Sequence, residues 1–257
     1  MDTQVEVPAP LARHVESISV HGPSGVGLPY RVLPGLGAVA GFQFSGRLRV
    51  EREGTSRRLA RSGISGVQRV ARQFVPEGAV GSVLVRFTPW GAYGLLGCGL
   101  HELTDQQAAL EEAAAGAREA ESRVEEGGAE NAARAVVAWL MALYERRRRE
   151  AHGEVIEAVR RLTASRGGEP VERIASRLLV GRRQLERLFR EQVGVGPKEF
   201  ASLARLGWVV EQAKRQRGWA QVAAAAGYAD QAHFHRSFKA RVGMTPAAYW
   251  RERSGRR

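Results

Sequence analysis

Residues 220–249 read AQVAAAAGYADQAHFHRSFKARVGMTPAAY, and residues 171–200 read VERIASRLLVGRRQLERLFREQVGVGPKEF. The two stretches share one plan: a short helix, a tight turn, a longer basic helix, Val-Gly, a proline and an aromatic residue. Setting Ile174 against Val222 also places Ala175 on Ala223. One extra residue in the second turn changes the offset from 48 to 49. After it, Leu185 falls on Phe234, Arg187 on Arg236, Phe189 on Phe238, Val193-Gly194 on Val242-Gly243, Pro197 on Pro246 and Phe200 on Tyr249.

Each shared position has a physical reason. Ala175 and Ala223 let a second helix cross the first closely. Gly227 suits a turn that needs positive φ, and Asp230 then stands where a side chain accepts from free N–H groups at a helix start. Leu185, Leu188 and Phe189 form one apolar face, as do Phe234 and Phe238. Gly194 and Gly243 fit the left-handed position that ends a helix, and Pro197 and Pro246 fit the first turn of the next. The opposite faces are polar and basic: Arg182, Arg183, Glu186, Arg187 and Arg190 in one helix, Gln231, His233, Arg236 and Lys239 in the other. A helix with such a face fits the major groove of DNA. Between the units the pattern predicts a longer helix, about Pro197–Arg217, whose Phe200, Leu203, Leu206, Val210 and Ala213 can pack on both. Held rigidly, two such units enter successive major grooves, about 34 Å apart.

Charge agrees with this placement. Residues 1–150 hold 18 Lys+Arg and 17 Asp+Glu, whereas residues 151–257 hold 21 and 10, so nearly all of the +12 net charge sits in the last 107 residues. A basic region on a balanced chain points to a polyanion, with nucleic acid the leading candidate and an anionic membrane surface the rival, against a merely solvated basic surface. No apolar run reaches membrane-spanning length. The N-terminus, MDTQVEVPAPLARHVES, lacks the pattern of a signal peptide. Cys98 is the only cysteine, which excludes an intrachain disulfide and a Cys-rich zinc site. The expectation is a cytoplasmic protein without cofactor or metal.

The front part reads differently. Residues 1–103 are glycine-dense, with short apolar runs between turns. Strands are predicted over Ala38–Phe44, Arg47–Glu51, Gly66–Phe74 and Val80–Phe87, with turns at Ser45-Gly46 and Gly54, a spacing that suggests a small barrel or sandwich. Residues 104–150 read as a helical pair. The first helix is capped by Thr104 or Asp105 and runs to about Glu125. The second, about Ala129–Glu150, carries Val136, Val137, Leu140, Met141, Leu143 and Tyr144. That stripe suits packing on its own domain or a homodimer contact equally. Arg146–Arg149 closes the helix with cations, which is favourable at a C-terminus, or touches phosphate.

Residues 151–257 resemble the DNA-binding region of the AraC/XylS family of transcription regulators. The resemblance spans Glu154–Arg251 and rests on Ile174-Ala175, Leu185–Phe189, Gly194, Pro197, Arg205-Leu206, Gly227-Tyr228-Ala229-Asp230, His233-Phe234, Arg236, Phe238, Gly243, Thr245-Pro246 and Tyr249. It implies an all-α domain of two helix-turn-helix units joined by a linker helix. Base-edge contacts are implied at Arg183, Glu186 and Arg187 in the first recognition helix, and at Gln231, Ala232, His233 and Arg236 in the second. Arginine pairs bidentately with guanine and glutamine with adenine. Glu186 either accepts from cytosine or pairs internally with Arg182 or Arg190. Arg187 and Arg236 have a structural alternative, bonding phosphate or a helix end. Arg182, Arg190 and Lys239 read as phosphate contacts. Two features depart from the family: the first turn reads Leu178-Leu179-Val180-Gly181, which puts a leucine where glycine is usual and a weaker cap where serine is usual, and Val209 and Gln212 stand where alanine and leucine are preferred.

The front domain is similar to effector domains joined to this DNA-binding unit. The matching segments are Val32-Leu33-Pro34, Phe87–Gly97 (FTPWGAYGLLG) and His101–Gln106 (HELTDQ). A small β-barrel, cupin-like, with appended helices is implied, making the chain α+β. A small-molecule effector would sit near Phe42, Phe44, Phe87, Trp90 and Tyr93, unless these aromatics are simply core. His14, His21 and His101 lack metal-ligand spacing, and no catalytic motif appears. The leading reading is a ligand-responsive transcription regulator, with RNA polymerase as a partner if it activates. A constitutive DNA-binding protein whose front domain only dimerises is the second. A DNA alkyl-transfer repair protein is the third, and a single cysteine cannot supply its zinc-held cluster.

Overall fold

The computed structural model describes residues 2–23, 27–52, 54–146, 149–215, 219–228 and 230–254. The front part contributes strands β1 (Asp2–Val5), β2 (Val15–His21), β3 (Tyr30–Val32), β4 (Val39–Arg52), β5 (Thr55–Arg58), β6 (Ser62–Ser65) and β7 (Arg72–Phe87). Helix α1 (Gly91–Leu96), a 3₁₀ turn (Leu100–Leu103), strand β8 (Gln107–Ala109) and helices α2 (Leu110–Ala113), α3 (Ala117–Glu126) and α4 (Gly128–Arg146) complete it. The rest is helical: α5 (Gly153–Ala164), α6 (Val171–Arg177), α7 (Arg182–Val193), α8 (Pro197–Arg215), α9 (Trp219–Ala225), α10 (Gln231–Val242) and α11 (Pro246–Ser254).

Strand alternation gives the sheet two different faces. Ala40 and Phe42 on β4, and Val83 and Val85 on β7, are buried in a core closed by Val136, Trp139, Leu140 and Leu143 of α4. Val39, Gly41 and Gln43 of β4, with Ser82, Leu84 and Arg86 of β7, point the other way and line a cavity. The strand order is β1-β2-β7-β4-β6-β8, with β3 also on β7 and β5 also on β4, all pairs antiparallel. This sheet is open, which corrects the expected closed barrel. Helices α3 and α4 cover one face, and the cavity and helical domain occupy the other, so no second layer of strands is needed.

Several local expectations are corrected. Ser45-Gly46 does not turn the chain. It is a bulge inside one long strand, marked by register shifts between Gln43 and Arg47 and by a φ of 59° at Gly46. The strand expected over Gly66–Phe74 begins at Arg72, and it runs through Gly78 (φ 80°) into the strand expected at Val80. The alanine- and glutamate-rich stretch is not one helix. Asp105 takes a φ of 55° and its carboxylate accepts from the backbone N–H of Arg69, so it caps no helix. Residues Gln107–Ala109 instead extend the sheet along β6, and Gly116 (φ 71°) separates α2 from α3. The apolar stripe of α4 packs within its own domain, with Val136 and Leu140 fully buried. Arg147 and Arg148 lie outside the described residues, as do Ala229 and the expected linker end at Arg217.

The helical domain follows the internal repeat closely. Helices α6 and α9 start 48 residues apart, and α7 and α10 start and end 49 apart. The aligned apolar residues are the two cores: Ile174, Ala175, Leu185, Phe189, Val193 and Phe200 in one, Val222, Ala223, Phe234, Phe238, Val242 and Tyr249 in the other. Even the ring contacts correspond. Phe189 meets Phe200 edge-on at 5.6 Å, and Phe238 meets Tyr249 edge-on at 5.8 Å. Helix α8 serves both, giving Phe200, Leu203 and Ala204 to the first core and Leu206, Val209 and Val210 to the second.

Candidate nucleic-acid interface

The turn of each unit sets where its recognition helix begins. In the second, Gly227 takes a φ of 76° and the Asp230 carboxylate accepts from the backbone N–H of His233 at 2.6 Å. In the first, Leu179 takes a φ of 53° and is 96% exposed, and Gly181 offers no side-chain cap. A leucine there bears left-handed strain with no packing in return. Gly194 (φ 98°) and Gly243 (φ 81°) end α7 and α10.

The implied base-reading residues Arg183, Arg187, Gln231, Ala232, His233 and Arg236 are all exposed, and Glu186 is half-buried. The two helices differ in how their charges are held. On α7, Arg182 donates to Glu186 at 3.0 Å and pairs with Glu172 at 2.7 Å. Arg187 lies 3.3 Å from Gln184 and 3.5 Å from Glu191. The internal partner of Glu186 is therefore Arg182. Among the described residues, Arg183, Arg190, Arg236 and Lys239 have no ion pair. The whole cationic face of α10 is thus available to phosphate and bases, whereas half of that on α7 must first exchange a carboxylate for DNA.

The units are braced against each other. Arg205 of α8 donates to the carbonyl of Gly167 at 2.8 Å, beside the first unit, and lies over the ring of Tyr228, in the second, at 5.7 Å. Arg166 stacks on Trp208 at 4.2 Å. These fix the linker helix to both cores, as a rigid spacer requires.

The front domain holds both recognition helices at their C-terminal ends. At α7, the Thr104 hydroxyl donates to the carbonyl of Gly194 at 2.6 Å, and the Tyr93 hydroxyl to Glu191 at 3.2 Å. Burial, and then Glu191, pushes the Tyr93 phenol above its usual range. At α10, Arg31 donates to the carbonyl of Val242 at 3.2 Å and the N–H of Ala71 to that of Arg241 at 2.7 Å. Arg241 reaches back to the carbonyl of Arg69 at 3.1 Å and forms a bidentate pair with Glu199, which raises its pKa further. Asp105 holds Arg69 in turn. None of these roles was anticipated from composition or periodicity. The signal was present in the front-domain segments: Leu33 packs on the second core, Trp90 on the first, and Thr104 and Asp105 belong to HELTDQ.

The cavity has a volume of about 1680 Å³ and lies between the sheet and helices α5 and α8. Phe87 and Trp90 line it. Phe42, Phe44 and Tyr93 do not, correcting the expected aromatic pocket. Phe42 meets Trp139 edge-on at 5.3 Å on the opposite face, and Phe44 packs on that same core. Tyr93 is committed to the interface with α7.

Two braced helix-turn-helix units with exposed basic recognition helices define a DNA-binding transcription regulator. The model of a family described as a helix-turn-helix domain matches residues 174–252, within the stretch whose sequence resembles the AraC/XylS DNA-binding region. Among solved structures, the chain is similar to ToxT of Vibrio cholerae O395 bound to (E)-4-(8-methylnaphthalen-1-yl)but-3-enoic acid. That likeness has a TM-score of 0.50 at 12% identity, covering 91% of this chain and 98% of that one. A further ToxT structure from Vibrio cholerae O395 gives 0.49 at 16% identity, covering 90% and 95%. The AraC-like transcriptional activator CuxR gives 0.30 at 16%, covering 79% and 78%. A search of curated proteins returns no match. Among the described residues, no helix is long and apolar enough to cross a membrane.

Proposed function

We propose that this protein is a sequence-specific transcription regulator whose grip on DNA responds to a small molecule held between its two halves. One observation carries the reading: the cavity wall and the clamp on α10 are built from the same short stretches of chain. Tyr30 and Val32 line the cavity, while Arg31 between them bonds the end of α10. Arg72 and Phe74 line it too, and Ala71 just before them holds the carbonyl of Arg241. A molecule that moves β3 or the start of β7 therefore moves the second recognition helix relative to the first. The likeness of fold to a protein solved with an aryl-substituted acid supports a small-molecule site.

The test has two arms. Genomic fragments retained at physiological salt should share a site with two blocks of sequence, and recovery of random fragments would remove the sequence-specific reading. A thermal-shift screen should find compounds that stabilise the fold and alter DNA affinity, with DNA altering their affinity by the same factor. Compounds that bind without any effect on DNA affinity would leave a constitutive DNA-binding protein.

A further inference from the structure

Gly207 stands in the interior of α8, a 19-residue helix, where glycine is a poor helix former. Glycine is usually kept in such a place because another chain approaches too closely or because φ is positive. Neither holds here. A Cβ built on Gly207 meets no atom within 4 Å, whereas one on Gly91 would meet the His14 carbonyl at 1.8 Å and one on Gly167 that of Ala201 at 2.0 Å. Nor is Gly207 among the residues with positive φ. What lies at this position is the cavity. Gly207 and Glu211, one helical turn apart, form its wall on α8, facing a wall of Val159 and Thr163 on α5 and the sheet's Leu84.

We propose that the cavity's ligand, a largely apolar small molecule, seats directly on the linker helix at Gly207, where the missing side chain leaves room for it. This rests on the ligand-responsive reading above and adds where the ligand is sensed. Contact with α8 reaches an element shared by both helix-turn-helix cores, alongside the clamp at the end of α10. The largely apolar class rests on Leu36, Leu84, Phe87 and Trp90, on a wall that also carries Arg86 and Arg160.

The test uses the full chain and the uncharged fluorescent probe N-phenyl-1-naphthylamine. Wild type should bind it saturably. Gly207→Leu should weaken binding about ten-fold or more, the scale on which a hydrophobic pocket rejects added methylenes. Gly153→Leu, at an exposed helix start away from the cavity, should bind the probe as wild type does. Gly207→Ala guards against a misfolded leucine variant: a Cβ entering open space should raise the melting temperature. Unchanged probe affinity in Gly207→Leu would overturn the assignment to α8 while leaving a ligand cavity intact. A lower melting temperature in Gly207→Ala would overturn it as well. Absence of saturable binding by wild type would overturn both the ligand-responsive reading and this one, with DNA binding judged separately.

Discussion

Arg31 and Val242 are 211 positions apart, yet the guanidinium of the first donates to the carbonyl of the second at 3.2 Å. The bond satisfies an orphan carbonyl at the end of α10, and it does so from the other domain. Arg31→Ala should cost about 1.5–3 kcal/mol, the ordinary worth of a charged hydrogen bond. It should also weaken the link between cavity occupancy and DNA affinity. Urea denaturation and DNA titration with and without a bound compound measure the two effects. An unchanged urea midpoint would show that the clamp holds nothing.

On α10, Arg236 and Lys239 should separate into two roles. Arg236→Ala should reduce discrimination between specific and random DNA by about 1–3 kcal/mol if it reads a base edge. Lys239→Ala should weaken binding to both alike and lower the slope of log K against log salt by about one unit. Equal weakening on both DNAs by Arg236→Ala would place it on phosphate.

The helical domain was legible in the sequence because its signal is local and repeated. Turn glycines, the Asp230 cap, proline at the first helical turn and apolar residues at helical spacing each act within a few residues, and the second copy checks the first. The open sheet was less legible. Ser45-Gly46 has turn chemistry but is absorbed as a bulge, because Ser45 and Arg47 both keep partners on β7. Thr104 and Asp105 read as caps because nothing near them in sequence shows that Gly194 and Arg69 claim them. Phe42 and Leu84, both apolar and both on strands, cannot be sorted by type into core and cavity wall. Only the pairing register decides which face each strand presents.

The strained turn of the first unit should be improvable. Leu179 sits at positive φ and is almost wholly exposed, so Leu179→Gly removes strain and forfeits no packing. The expected gain is about 0.5–1 kcal/mol after the flexibility glycine adds to the unfolded chain. Calorimetry measures it, and a lower melting temperature would mean that Leu179 makes a stabilising contact.

His14 should make the fold sensitive to acid. Its imidazole lies edge-on to Tyr144 at 6.0 Å, and a Cβ on Gly94 would strike the ring. Burial first, and then Arg13, lowers its pKa, with Glu150 opposing. The unfolded chain therefore takes the proton more readily than the folded one. The stability His14 supplies is complete above the ordinary histidine value of about 6.5 and is lost as pH falls through the lowered one. His14→Gln should flatten the fall in melting temperature between about pH 7 and 5. An equally steep fall in the variant would assign the acid sensitivity to other groups.

The central claim is that α7 and α10 read DNA together as one rigid pair. Hydroxyl-radical footprinting of the full chain on its enriched site tests this most directly. The expected pattern is two protected segments on one face of the duplex, centred about 10–10.5 base pairs apart. A single protected segment, or two separated by half a helical turn, would contradict it.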